Sequence, residues 1–283
     1  MKYFIRLSSF VLAVLFGTGC GQNETSYLEA NYTKMEVSIP MRDGANLFAT
    51  VYVPRDTTQT YPFLIKRTPY SSGPYEAGVY PNDVGPGGSP RFLEEGYIFV
   101  NQDVRGRFMS EGSFLNMTPN YPGNEPGTPV DESSDTFDTV EWLLANIKHN
   151  NGKVGLWGIS YPGFYAAASI VDTHPAIKAS SPQAPIGDWF VGDDFHHNGA
   201  FNLQDGFRFF YNFDHVENTP TTARREPIDF GSDDAYQFFL DLGPLKNANE
   251  RYYHNTIPTW DSLMQHGTND SYWQSRNIIP HMK

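Results

Sequence analysis

The chain has 283 residues, of which 39% are hydrophobic and 15% aromatic, and its formal net charge is −12. Such aromatic content excludes a disordered chain, and the length allows one large domain or two smaller ones. The negative charge repels phosphate backbones, which argues against nucleic acid and anionic membrane surfaces as partners.

Residues 1–20 read as an export signal. Lys2 and Arg6 precede the apolar run Phe10 to Phe16, and Gly17, Thr18 and Gly19 lead to Cys20. The run is too short to span a bilayer durably. Small residues directly before the chain's one cysteine resemble a bacterial lipoprotein processing site, with Cys20 as the lipidated residue. Gly17 departs from that pattern, where a larger aliphatic is usual. The expectation is an exported protein: periplasmic, tethered to the outer membrane through Cys20, or secreted. A single cysteine leaves no disulfide framework and no thiolate zinc cluster. No cofactor or metal is expected. Residues 21–30 are polar and read as a tether.

Residues 35–40 and 47–53 alternate apolar and polar side chains around Asp43-Gly44, which predicts an antiparallel hairpin. The short apolar runs Phe63–Ile65 and Tyr97–Val100 suit strands buried on both faces. Residues 71–90 and 116–130 are rich in turn formers and read as loops. From Asp131 the period becomes helical, through Phe137, Val140, Leu143, Leu144 and Ile147, with Lys148 and His149 in the last turn. Asn150-Asn151-Gly152 stops that helix. A strand follows at 153–157, then a small-residue helix around Ala166–Ala168, then a strand at 177–180. Strand alternating with helix implies a parallel sheet with right-handed crossovers. After residue 188 strand-like runs vanish, and helices are predicted near 201–211, 233–241 and 259–266. The organisation is 31–187 for the sheet-bearing part and 188–283 for an inserted helical cap.

The stretch Gly158-Ile159-Ser160-Tyr161-Pro162-Gly163 holds a G-x-S-x-G between a predicted strand and a predicted helix. In that context the serine sits on a tight turn that only small neighbours tolerate, above the sheet edge. The N–H of Tyr161 then faces the position of a developing oxyanion. Tyr70 follows the buried strand 63–66 and stands at the same carboxyl edge, where a phenol can donate one hydrogen bond. Asp103, Arg105 and Arg107 lie just past a buried strand. An Asp–Arg pair fixing a loop is the expected role for them.

The elbow, together with Lys66-Arg67-Thr68-Pro69-Tyr70, Asp103-Val104-Arg105-Gly106-Arg107 and Asp138-Thr139-Val140-Glu141-Trp142-Leu143, resembles the CocE/NonD hydrolase family, the X-Pro dipeptidyl-peptidase-like serine hydrolases. The resemblance runs from about residue 31 to 283. It implies an α/β-hydrolase fold with an inserted helical cap and a C-terminal jelly roll. It implies Ser160 as the nucleophile, the Tyr161 N–H and the Tyr70 hydroxyl as oxyanion donors, and an Asp and a His in that chain order. Residues 272–281 resemble the cap exit that precedes the acid, so the expectation is a chain truncated before the last strands and the jelly roll. It would lack the triad Asp and His, be inactive, and be poorly stable at the open sheet edge. Local substitutes would have to come from Asp241, Asp261 or Asp270 with His266 or His281, and none follows an apolar strand. His196-His197 is adjacent in sequence, which disfavours a shared metal.

Residues 188–200 closely resemble the α-amino-acid ester hydrolases of that family, and Asp194 matches the aspartate that binds a substrate α-ammonium. The bland alternative is that Asp193 and Asp194 cap a helix. The implied substrate is a small ester or amide with an α-amino group, β-lactam side chains included, and the family hints at a homo-oligomer. Alternatives are a cephalosporin acylase, a general carboxylesterase or an X-Pro dipeptidyl-peptidase-like hydrolase. A non-catalytic surface binding protein on a degenerate scaffold is the alternative from another class.

Overall fold

The computed structural model describes residues 26–282, apart from residues 122, 124–126, 128, 193 and 232–233. Cys20 and the export segment lie outside the described residues.

The short helix α1 (Tyr27–Asn31) leads into β1 (Tyr32–Pro40), which pairs antiparallel with β2 (Asn46–Pro54). The predicted turn closes the hairpin: the Gly44 N–H donates to the Met41 carbonyl and the Met41 N–H to the Ala45 carbonyl. Part of the expected tether is therefore structured. Leu28 of α1 is buried with Tyr52 and Phe99 of the sheet and Leu93 in one apolar cluster.

Next come β3 (Tyr61–Thr68), α2 (Pro90–Glu95), β4 (Ile98–Asp103), α3 (Glu132–Asn146), β5 (Asn150–Ile159), α4 (Tyr161–Ala168) and β6 (Ile177–Gln183). The six strands form one sheet in the order β1-β2-β4-β3-β5-β6. β4, β3, β5 and β6 are mutually parallel, and β2 joins antiparallel to β4. This is a mixed α/β fold with a mostly parallel sheet, as the α/β-hydrolase class requires.

Asp131 starts α3 with a capping box: its carboxylate accepts from the Ser134 N–H, and the Ser134 hydroxyl accepts from the Asp131 N–H. Val140, Leu143 and Ile147 then bury one face of α3 under the sheet. Each such side chain stabilises the fold by about 1.5–3 kcal/mol. The helix ends at Asn146, so Lys148 and His149 stand beyond it rather than in its last turn. The Asn150 side-chain amide accounts for the early stop, because it donates to the Leu144 and Ile147 carbonyls that a further turn would have used. α4 has every residue buried, lying between the sheet and the aromatic core above it.

Past residue 188 the chain is mainly helical: α5 (Leu203–Phe213), α6 (Ala235–Leu242), α7 (Pro258–Gln265) and the short α8 (Ser271–Gln274). The expectation of no further strands fails at one place. His196–His197 and Ala200–Phe201 form a two-stranded hairpin, β7 and β8, around Asn198-Gly199. Both turn residues have positive φ, which is the dipeptide signal for such a turn. Phe207, Phe210, Trp260 and Trp273 fill the core of this region. The chain returns to where it left the sheet, since the Ile278 N–H donates to the Gly187 carbonyl and the Asn277 amide to the Asp188 carboxylate.

Arg67 is the main polar strut between sheet and helix. It is buried on β3, donates to Gln102 at 2.9 Å, and pairs with Glu132 of α3 at 2.8 Å. Glu132 is itself buried, and burial pushes its carboxyl pKa up. Removing Arg67 alone would strand that carboxylate, so Arg67→Met is expected to lower unfolding free energy by about 3–5 kcal/mol. The paired change Arg67→Met with Glu132→Leu should recover most of the loss. Urea denaturation of the two variants checks both expectations.

Candidate active site

The carboxyl ends of the parallel strands build the site. β5 ends at Ile159, and Ser160 turns the chain into α4 with φ 62° and ψ −123°. A non-glycine residue there is strained. Two contacts hold it: the Ser160 N–H donates to the Gln183 carbonyl of β6 at 2.9 Å, and its carbonyl accepts from Phe164 at 3.0 Å. Ser160 is exposed although its neighbours in sequence on α4 are buried.

The two glycines of the motif permit this turn for a steric reason. A Cβ on Gly158 would meet the backbone of Pro162, and one on Gly163 would meet the Gln183 carbonyl. Backbone atoms cannot rotate away as a side-chain tip can. Tyr161 is the first residue of α4, so its N–H has no acceptor within the helix. Its ring is buried, and its hydroxyl donates to Asn116 and accepts from the Met117 N–H.

Tyr70 sits past the end of β3, on the wall of the cavity that Ser160 also lines. Burial is the main reason the Tyr70 pKa is pushed up to about 12, with the charge of Asp194 adding to it. The ring is held edge-on against Phe213 at 4.8 Å and Tyr161 at 6.4 Å. Arg224 of the helical region also donates to the Tyr70 carbonyl.

Ser160, Tyr70, Tyr161 and Asp194 all line one cavity of about 450 Å³. Sequence reasoning named these four and the structure brings them together. It missed Asp205, Arg208, Phe209, Asn212 and Phe213, which line the same cavity from α5. Their spacing was a legible signal, because positions 205, 208, 209, 212 and 213 share one helical face. Asp194 does not cap the helix that follows, since the N-cap of α5 is Asn202. Asp193 lies outside the described residues. No histidine stands on the cavity wall among the described residues. His266 instead pairs with Asp270 at 2.7 Å and stacks on Tyr272, while Asp261 accepts from Asn249 and Asp241 from Gln237.

The expected Asp–Arg pair after β4 is not formed. Asp103 accepts from the N–H groups of Ser72 and Met109 and from the Tyr75 hydroxyl. Arg105 pairs with Asp43 and Asp135, and Arg107 with Glu217 at 3.0 Å. Neutral donors converging on a buried carboxylate replace the guanidinium that the sequence suggested. The loop-fixing role remains, and Arg107 extends it by fastening the segment after α5 to the sheet.

The family model described as X-Pro dipeptidyl-peptidase (S15 family) matches residues 43–283. The chain belongs to this family. The cocaine esterase of Rhodococcus sp. (strain MB1 Bresler) is 27% identical over 266 residues, covering 89% of this chain and 42% of that protein. An aminopeptidase from a marine sediment archaeon, Thaumarchaeota archaeon, superimposes with a TM-score of 0.72 at 30% identity, covering 97% of this chain and 43% of that one. An α-amino acid ester hydrolase superimposes with a TM-score of 0.74 at 29% identity, covering 95% of this chain and 43% of that one. The S15 chain thus spans under half the length of these relatives. A CocE/NonD family hydrolase from Staphylococcus aureus shares the fold, with a TM-score of 0.54 at 18% identity, covering 86% of this chain and 38% of that one.

Burial raises the Asp103 carboxyl to about 6 from its ordinary 3.8. A raised folded-state pKa stabilises below the ordinary value and is lost as pH rises through the folded one. The contribution of Asp103 to stability should therefore fall between about pH 4 and 6. Unfolding free energy measured across that window in the parent and in Asp103→Asn should show a shallower decline in the variant. A second test concerns the turn. Gly158→Ala should destabilise the protein by several kcal/mol, roughly 3 or more, given a clash with backbone. A calorimetric shift no larger than that of an exposed Gly→Ala change elsewhere would contradict it.

Proposed function

We propose that this chain carries the nucleophile and oxyanion site of a serine hydrolase. The proposed reaction is acyl transfer from α-amino-acid esters and amides, β-lactam side chains included, through an acyl-enzyme. The observation that carries the reading is Ser160, held strained and exposed on the turn into α4, in a cavity that Tyr70, Tyr161 and Asp194 also line.

The steps follow from those positions. Ser160 Oγ attacks the acyl carbon while its proton passes to a general base, and the carbonyl electrons move onto oxygen. The Tyr161 N–H and the Tyr70 hydroxyl donate to that oxyanion, and such donors count most where water is excluded. Collapse expels the alcohol or amine with a proton from the conjugate acid of the base, leaving the Ser160 ester. Water, deprotonated by the same base, then releases the acid. The reading places the base and its orienting acid on chain outside the described residues. Asp194 attracts the substrate ammonium by Coulomb force at the cavity wall. The reading carries with it the exported location suggested by residues 1–20.

A fluorophosphonate probe should label the full-length protein at Ser160, and Ser160→Ala should abolish labelling. No labelling of the parent would return the chain to the non-catalytic binding alternative. Tyr70→Phe should lower kcat by about 10²–10³-fold with little change in KM, the usual cost of one oxyanion donor. Because the Tyr70 phenol titrates at about 12, the rate should show no falling limb near pH 10, its ordinary value. Asp194→Asn should raise KM for phenylglycine methyl ester about tenfold and leave phenylacetate methyl ester unchanged. Equal effects on the two esters would remove the ammonium reading and leave a general esterase or acylase.

A further inference from the structure

Helix α5 carries two faces with different surroundings. Gly206, Phe207 and Phe210 are buried in the aromatic core. Asp205, Arg208, Phe209, Asn212 and Phe213 form a stripe on the Ser160 cavity. That stripe is graded along the helix. Phe213 packs on Tyr70 at 4.8 Å and Phe209 stacks on Tyr161 at 6.3 Å, so its C-terminal part adjoins the reacting atoms. Asp205 is about one turn, ~5 Å, further along the axis from Phe209, and Arg208 lies on the flank between them. Both are exposed residues of the cavity wall.

Two features set Arg208 apart. It is the one cation on the cavity wall among the described residues, in a chain with a net charge of −12. It also has no hydrogen-bond or ion-pair partner there, and neither does Asp205. An Asp and an Arg three apart on a helix can pair, and here they do not. The guanidinium fork is left open toward the cavity, in a form that suits a carboxylate.

We infer that Arg208 determines specificity by binding a carboxylate on the leaving half of the substrate. The inference rests on the acyl-transfer reading of Ser160, with the ammonium of the acyl half beside Asp194. The leaving half is then the part of the substrate free to reach the α5 stripe. The substrate class narrows to aminoacyl amides whose amine product is itself a carboxylate, as in a dipeptide or a β-lactam nucleus. Simple esters lack that handle. Arg208 acts in binding and not on the reacting atoms.

The test measures binding without turnover, in full-length protein carrying Ser160→Ala. Phenylglycyl-alanine and phenylglycyl-alaninamide are titrated calorimetrically, the second lacking only the carboxylate. The dipeptide should bind about tenfold tighter, the value of one exposed charge-assisted contact. Adding Arg208→Ala should bring the two ligands to equal affinity, with the amide unchanged. Arg208→Lys should keep most of the preference, which a merely structural role would not predict. Equal affinities without the Arg208 change, a preference that survives Arg208→Ala, or no binding of either ligand would each overturn the inference. Fluorophosphonate labelling of the unmutated protein separates the causes. Labelling with equal affinities sinks the Arg208 assignment alone, whereas absent labelling sinks the acyl-transfer reading beneath it.

Discussion

The site depends on how closely the β5–α4 turn approaches its own helix and the neighbouring strand. Gly158 lies against Pro162, and Gly163 lies against the Gln183 carbonyl, with no room for a Cβ at either place. That contact lets the Ser160 N–H reach Gln183 and keeps φ at Ser160 positive. Strain at one residue persists only where the surroundings over-determine it. Here β6 on one side and the fully buried α4 on the other do so. The packed sheet, in this sense, holds the serine out of the core.

The second half of the site is delivered from the neighbouring strand, β3, which pairs with β5. Tyr70 comes from the segment after β3, and Arg67 anchors the end of that strand to Glu132 and Gln102. Its ring is clamped from above by Phe213 of α5. A buried charge is costly unless it is paired, and these residues form the kind of network that defines one geometry. The same logic applies at Asp103, where backbone N–H groups and a phenol substitute for the expected cation. The helical region contributes a wall that combines aromatic side chains with the charged Asp205 and Arg208. A pocket of that character can hold an apolar group and discriminate by charge.

Much of this was legible in the chain because its signals are local. The Asp43-Gly44 hairpin, the capping box at Asp131 and the elbow around Ser160 each rest on residues within a few positions of one another. The departures have separate causes. The α3 terminus was misjudged because Asn150 reaches back to cap it, and the β7–β8 hairpin is only two residues per strand. The partners of Arg105 and Arg107 lie at positions 43, 135 and 217, which no local pattern could indicate. The α5 stripe was present as a helical period. Its meaning depended on knowing which face of the helix met the serine.

By itself, the sequence determined the parallel-sheet class, the family and the turn that carries Ser160. Periodicity and turn chemistry act over short range, so they can be read in a line. Tertiary structure alone decided which side chains share the cavity with Ser160. Tyr70, Ser160 and Arg208 are separated by tens of residues, and only strand order and the docking of α5 bring them to one place. Long-range packing sets those distances, and it is a property of the whole core rather than of any segment.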